Sequence, residues 1–152
     1  MQVTPYLTFN GNCSEAFRFY AECLGGTIEM MMSHGESPVA AQVPKEWHSA
    51  IMHARLKVGD GVLMASDVPP EQGQTPQGFS ISIGVATPAE AERVFKALAD
   101  GGTVRMPLQQ TFWAARFGMV VDRFGIPWMV NCEGAQAGAV DDAVRKPARA
   151  MK

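Results

Sequence analysis

Ser14-Glu15-Ala16-Phe17-Arg18-Phe19-Tyr20-Ala21-Glu22-Cys23-Leu24-Gly25-Gly26-Thr27-Ile28 returns in weaker form as Ala89-Glu90-Ala91-Glu92-Arg93-Val94-Phe95-Lys96-Ala97-Leu98-Ala99-Asp100-Gly101-Gly102-Thr103-Val104. Both copies open with a small residue followed by Glu, Ala, any residue and Arg. Both place an aromatic side chain a turn later and close on Gly-Gly-Thr before a β-branched residue. The second copy carries one extra residue ahead of its glycines. Each copy therefore reads as a helix that stops at glycine and enters a strand. A duplicated unit of this kind constrains the architecture more than any single motif does.

The helix starts carry their own signals. Asn12 stands where a cap is needed, with Glu15 three residues on. Thr87, Pro88 and Glu90 combine a capping hydroxyl, a proline at the first helical position and an acid in the first turn. In the first helix Ala16, Phe19, Tyr20 and Cys23 fall at the spacing of one apolar face.

Working outward, Val3 to Phe9 reads as a strand and Thr27 to Met32 as a second. His34 to Trp47 has no sustained period and reads as a long loop, the kind that forms a lid or rim. Ser49 to Val58 alternates, with Met52, Ala54, Leu56 and Val58 on one side and Ile51, His53, Arg55 and Lys57 on the other. Asp60-Gly61 signals a hairpin, and Val62 to Ser66 is the returning strand. A Pro-, Gly- and Gln-rich stretch at 68–77 links the halves. Phe79 to Val85 is the next strand, followed by the second helix to about Asp100. Thr103 to Leu108, Ala115 to Val121 and Ile126 to Cys132 complete the second half. Trp128 alternates with Met129 and is expected to face the helix.

The expected fold is α+β, two βαβββ modules forming curved sheets around a cleft. The modules run over 1–67 and 78–132 and together make one domain, 1–132. A Gly-, Ala- and charge-rich tail follows at 133–152.

Composition narrows the function. The chain has 152 residues and 13 basic against 15 acidic side chains, a formal charge of −2. That balance argues against nucleic acid, whose phosphates call for a basic face. No apolar run reaches the roughly 18 residues of a membrane span, and no secretory leader is visible. Three cysteines, Cys13, Cys23 and Cys132, match no zinc spacing and read as free thiols of a reducing, cytoplasmic compartment. Cys13 lies near a helix start, which can lower a thiol pKa.

Three segments carry a family resemblance: Thr4 to Cys13, Gln110 to Gly118, and Asp122 to Asn131. With the repeat, they resemble the vicinal oxygen chelate superfamily, which includes glyoxalase I, extradiol dioxygenases and the bleomycin and fosfomycin resistance proteins. The similarity is greatest to its PhnB-like branch and covers about Gln2 to Asn131. It implies paired modules, a homodimer and a ligand cleft, without fixing one activity. Members of the branch are often labelled 3-demethylubiquinone 3-methyltransferase. A doubly wound methyltransferase would need a Gly-rich turn opening a helix, whereas Gly59-Asp60-Gly61 joins two strands.

In metal-using relatives, each half supplies one ligand from its first strand and one from its last. Carried over by spacing, those places fall on Pro5, Met64, Ser80 and Met129. None suits a divalent ion, so no metal and no cofactor is expected. His53 and Arg55 share the cleft side with Met64 if Lys57 stands opposite Met64; a one-residue slip would turn them outward. Trp113 and Arg116, beside Phe112, could hold a planar or anionic ligand by stacking and charge, or could close the core. The candidate cleft residues are therefore His53, Arg55, Met64, Ser80, Trp113, Arg116 and Met129, with catalytic residues unassigned. Three functions remain open: a small-molecule binder without a metal, a lyase- or isomerase-type enzyme using His53 or Arg55, and a dimeric scaffold with a vestigial cleft.

Overall fold

The computed structural model describes residues 1–134; the tail expected from 133 lies, from 135 onward, outside the described residues. The chain divides into two compact units, Met1–Thr75 and a second that begins at Pro76. Each carries the expected βαβββ order.

The first unit runs β1 (Tyr6–Phe9), α1 (Cys13–Leu24), β2 (Thr27–Ser33), β3 (Ile51–Val58) and β4 (Gly61–Asp67). Its strands lie in the order β1-β4-β3-β2. β1 is parallel to β4, and the other neighbours are antiparallel. The second unit repeats the plan with β5 (Ile81–Val85), α2 (Pro88–Ala99), β6 (Thr103–Gln109), β7 (Arg116–Val121) and β8 (Pro127–Cys132), in the order β5-β8-β7-β6. β1 and β5 are shorter than the alternation predicts. Among the described residues each pairs on one side only, and the pairing begins at Tyr6 beside Met64 and Ile81 beside Trp128.

Each helix buries one stripe against its sheet. In α2 the buried side chains are Ala91, Val94, Phe95 and Leu98, an i, i+3, i+4, i+7 set. In α1 they are Cys13, Ala16, Phe17, Tyr20 and Cys23. Ala16, Tyr20 and Cys23 are buried as expected, but the edge of the stripe differs: Phe17 is fully buried, while Phe19 is only half-buried and packs beside Tyr20. The spacing Cys13, Ala16, Phe17, Tyr20 satisfies the helical period as well as the stripe from Ala16 does, so periodicity could not choose between them.

The two helices are capped differently. Thr87 accepts the Glu90 N–H at 3.2 Å, as its sequence predicts. Asn12 makes no side-chain cap. Instead the buried carboxylate of Asp67, at the end of β4, accepts the N–H groups of Gly11 at 2.9 Å and Cys13 at 3.0 Å. Its other oxygen accepts the Ile51 N–H at 2.8 Å. One side chain thus satisfies the first amide of α1 and one just before it, places negative charge at the positive end of that helix, and ties both to the start of β3. Asp122 plays a comparable part in the β7–β8 turn. It accepts the Phe124 and Ile126 N–H groups and the indole N–H of the buried Trp128, at 2.8, 3.0 and 2.7 Å.

The long segment after β2 is not structureless. It holds three 3-10 turns, His34–Glu36, Ala40–Gln42 and Lys45–Trp47. His48 staples them, with Nε2 2.9 Å from the Ala40 carbonyl and 2.8 Å from that of Val43.

Candidate functional site

Strand alternation sorts the side chains of the first sheet. Leu7 and Phe9 of β1, Ala54 and Leu56 of β3, and Leu63 and Ala65 of β4 are buried on the α1 side. The intervening residues face the other way. The β3–β4 turn is Gly59-Asp60, with Gly59 at φ +53, where a side chain would be strained. Val58 therefore stands opposite Gly61, and Arg55, not Lys57, opposite Met64. The register differs from expectation by two residues, an even number, so the assignment of faces holds. His53, Arg55 and Lys57 share a face with Met64. Tyr6 joins them beside Met64, and Met30 and Met32 lie opposite Arg55 and His53.

Two contacts organise this face. The rings of Tyr6 and His53 stack with centroids 5.8 Å apart and planes 23° from parallel. The Tyr6 hydroxyl lies 3.2 Å from His53 Nδ1. The pair reaches across β4, because β1 and β3 flank that strand. Arg55 donates through Nε to Glu29 Oε2 at 2.9 Å, both side chains about one-third exposed (33% and 37%). At that exposure the pair contributes roughly 0–1 kcal/mol; its consequence is geometric. Glu29 sits where the β2–β3 register shifts between Ile28 and Met30, and a bulge of this kind re-aims a side chain.

In the second sheet Met129 lies beside Ser82, in the parallel arrangement that Met64 makes with Tyr6. Ser80, carried over by spacing, precedes β5 and has no strand partner. Trp113 packs edge-on against Phe117 at 5.3 Å, and Phe112 against Trp113 at 4.8 Å. Phe117 is buried, whereas Phe112 is 76% exposed. Arg116 does not join them. It stands opposite Cys132 on the α2 side, 3.6 Å from Glu92, and donates to the Ala115 carbonyl. The expected Trp113–Arg116 pairing is thus split between two faces of the sheet. Phe117, opposite Asn131, shares the face away from α2 with Met129.

Beside Met64 the register sets Tyr6, and beside Met129 it sets Ser82, rather than the Pro5 and Ser80 carried over by spacing. A phenol, a hydroxyl and two thioethers are a poor donor set for a divalent ion. Among the described residues no three His, Cys, Asp or Glu side chains are grouped to hold a metal. Cys13 is no nucleophile: burial, and secondarily the Asp67 carboxylate, push its thiol up to about 12, opposite to the effect expected of a helix start. Cys23 and Cys132 are likewise buried, and neither is in a disulfide. At the helix starts Asp67 takes the Cys13 N–H of α1, and at α2 Pro88 has no N–H while Thr87 takes that of Glu90.

Tyr6 is the participant that sequence reasoning passed over. It lies inside the strand expected from Val3 to Phe9, and its alternation with Leu7 is the available signal.

Paired βαβββ units, each with a mixed four-stranded sheet and a helix on one face, define the glyoxalase/bleomycin resistance/dioxygenase fold, which solved structures of that superfamily share. Within it, residues 1–131 match the model of the family described as 3-demethylubiquinone-9 3-methyltransferase, and the chain belongs to that family, the PhnB-like branch. It is 37% identical over 139 residues to protein YjdN of Escherichia coli K12, covering 86% of this chain and 95% of that one. It is 57% identical to protein PA1353 from Pseudomonas aeruginosa, with a TM-score of 0.80 over 88% of this chain and 98% of that one. A PhnB protein from Bacillus cereus is 25% identical, with a TM-score of 0.71 over 87% and 99% of the two chains. Among the described residues no helix is long and apolar enough to cross a membrane.

Proposed function

We propose that this protein binds a small organic molecule on the face of the first sheet that carries Tyr6, His53, Arg55 and Met64. It does so without a resident divalent metal, as a cytoplasmic homodimer. The observation that carries the reading is the Tyr6–His53 pair, stacked and hydrogen-bonded across β4, with Tyr6 50% exposed. Two polar rings held together on a sheet face beside methionines offer an apolar floor and a few placed polar atoms, the usual composition of a small-molecule site.

The methyl transfer in the family's description is not the reading we favour. A donor bound as in doubly wound enzymes is gripped at a glycine-rich turn opening a helix. The turn into α1 is Asn10-Gly11-Asn12, and the N–H groups of Gly11 and of Cys13 after it are spent on Asp67.

The second reading is a lyase- or isomerase-type enzyme. It draws on the same contact, because a phenol within 3.2 Å of an imidazole nitrogen can hold and pass a proton. A ligand screen by thermal shift on metal-stripped protein, followed by product analysis, tests both. Binding that survives Ni, Zn, Mn or Mg removal and is lost in His53→Ala supports the first reading. Turnover that is also lost in His53→Ala supports the second. A screen in which no molecule stabilises the wild type more than His53→Ala leaves a dimeric scaffold.

A further inference from the structure

We infer that the molecule bound on this face is an organic carboxylate whose other end carries a hydroxyl or carbonyl. Arg55 would take the acid, and the Tyr6–His53 pair the second group. This rests on the site proposed above and names the class of its ligand.

Arg55 is anchored at one end only. Its Nε donates to Glu29, and among the described residues its two terminal guanidinium nitrogens meet no acceptor. A planar guanidinium fixed through Nε presents those nitrogens as a fork, the geometry that meets both oxygens of a carboxylate. The bulge at Glu29 produces this arrangement by bringing an acid beside Arg55. Three charges therefore lie on or beside the face, Arg55 and Lys57 against Glu29, which leaves an excess positive charge to meet an anion.

The second contact lies two residues along the same strand, about 7 Å away. His53 is held through Nδ1 by the Tyr6 hydroxyl. When the phenol donates to Nδ1, the imidazole carries its hydrogen on Nε2, where it can donate to a ligand oxygen. Met64 lies opposite Arg55 and beside Tyr6, so an apolar body joining the two ends rests on its thioether. The exposed Tyr6 ring adds a stacking surface for an aromatic body. A hydroxyaryl acid fits these requirements: one carboxylate, a flat apolar centre and a distal hydroxyl.

The test uses three probes on the full chain, followed by NMR titration with Tyr6 and His53 resonances as reporters. The probes are 4-hydroxyphenylacetate, its alcohol analogue 4-hydroxyphenylethanol, and phenylacetate. The first is expected to bind at least 10-fold more tightly than either analogue. Arg55→Gln removes its advantage over the alcohol, and Tyr6→Phe removes its advantage over phenylacetate. Arg55→Lys keeps the charge without the fork and falls between. If the alcohol binds as tightly as the acid while shifting Tyr6 and His53, the carboxylate assignment is wrong and the site stands. If the acid binds without shifting those residues, or not at all at 10 mM, the assignment is wrong. If neutral ligands from a wider screen also leave Tyr6 and His53 unmoved, the site is wrong too.

Discussion

Replacing Asp67 with alanine tests the interaction that joins α1 to its sheet. The carboxylate accepts three backbone N–H groups at 2.9, 3.0 and 2.8 Å and is itself buried. Two of those donors, at Cys13 and Ile51, are in buried surroundings. Without Asp67 they lose their acceptor where water does not readily replace it, at roughly 1–3 kcal/mol each. Removing an anion from the helix start adds about 0.5–1 kcal/mol. Allowing for partial relaxation, Asp67→Ala should lower stability by about 3–5 kcal/mol, on the order of 10 °C in melting temperature for a chain of this size. Urea denaturation followed by circular dichroism gives the number, and amide exchange locates it, with Cys13 and Ile51 losing protection first. Asp67→Asn is the gentler probe. It keeps the oxygen that serves Gly11 and Cys13 but turns an NH2 toward the Ile51 N–H, so it should cost less and expose Ile51 more than Cys13. An Asp67→Ala variant within 1 kcal/mol of wild type, with both amides still protected, would refute the idea that this carboxylate caps α1.

Two further outcomes follow from the packing. Because burial raises the Cys13 thiol pKa from its ordinary 9.0 to about 12 in the folded chain, the native state keeps a proton that the unfolded chain releases. The thiol's contribution is therefore fully present below pH 9 and falls as pH rises toward 12, by at most about 1.4 kcal/mol per pH unit. A Cys13→Ala variant should show a shallower alkaline loss of stability in urea titrations between pH 9 and 11, and equal slopes would contradict the assignment. Gly118→Ala should destabilise by about 1–3 kcal/mol, since the added Cβ would meet Phe95 Cε2 of α2 at 2.7 Å and the Leu108 backbone of β6 at 3.0 Å; Gly84→Ala, with nothing within 4 Å, should leave the melting temperature nearly unchanged.

What the sequence disclosed and what it withheld divide along a physical line. The repeat, the Gly25 and Gly101 punctuation, the Thr87 cap and the buried Trp128 are readable because each depends on neighbours a few residues away. The α1 stripe is legible at Ala16, Tyr20 and Cys23 but not at its edge, because a second set at the same period, Cys13, Ala16, Phe17 and Tyr20, buries Phe17 rather than Phe19. The true cap of α1 was invisible for a different reason: Asp67 is 54 residues from Cys13, and only the fold brings them together. The same holds for Tyr6 and His53, joined across β4 by a pairing register that alternation alone does not set. Ser80 and Arg116 show how fine the margin is. Ser82, two residues beyond Ser80, takes the place beside Met129, and Arg116 lies near Glu92 while Trp113 packs on Phe117.

The central claim is a ligand held by the Tyr6–His53 face without help from a metal ion. Calorimetric titration of 4-hydroxyphenylacetate into chelator-treated protein, with and without added Ni, Zn, Mn or Mg, addresses it most directly. The account predicts one affinity in every case, weakened at least tenfold in His53→Ala. Binding that vanishes on chelation and returns with one of those ions, or that His53→Ala leaves intact, would contradict it.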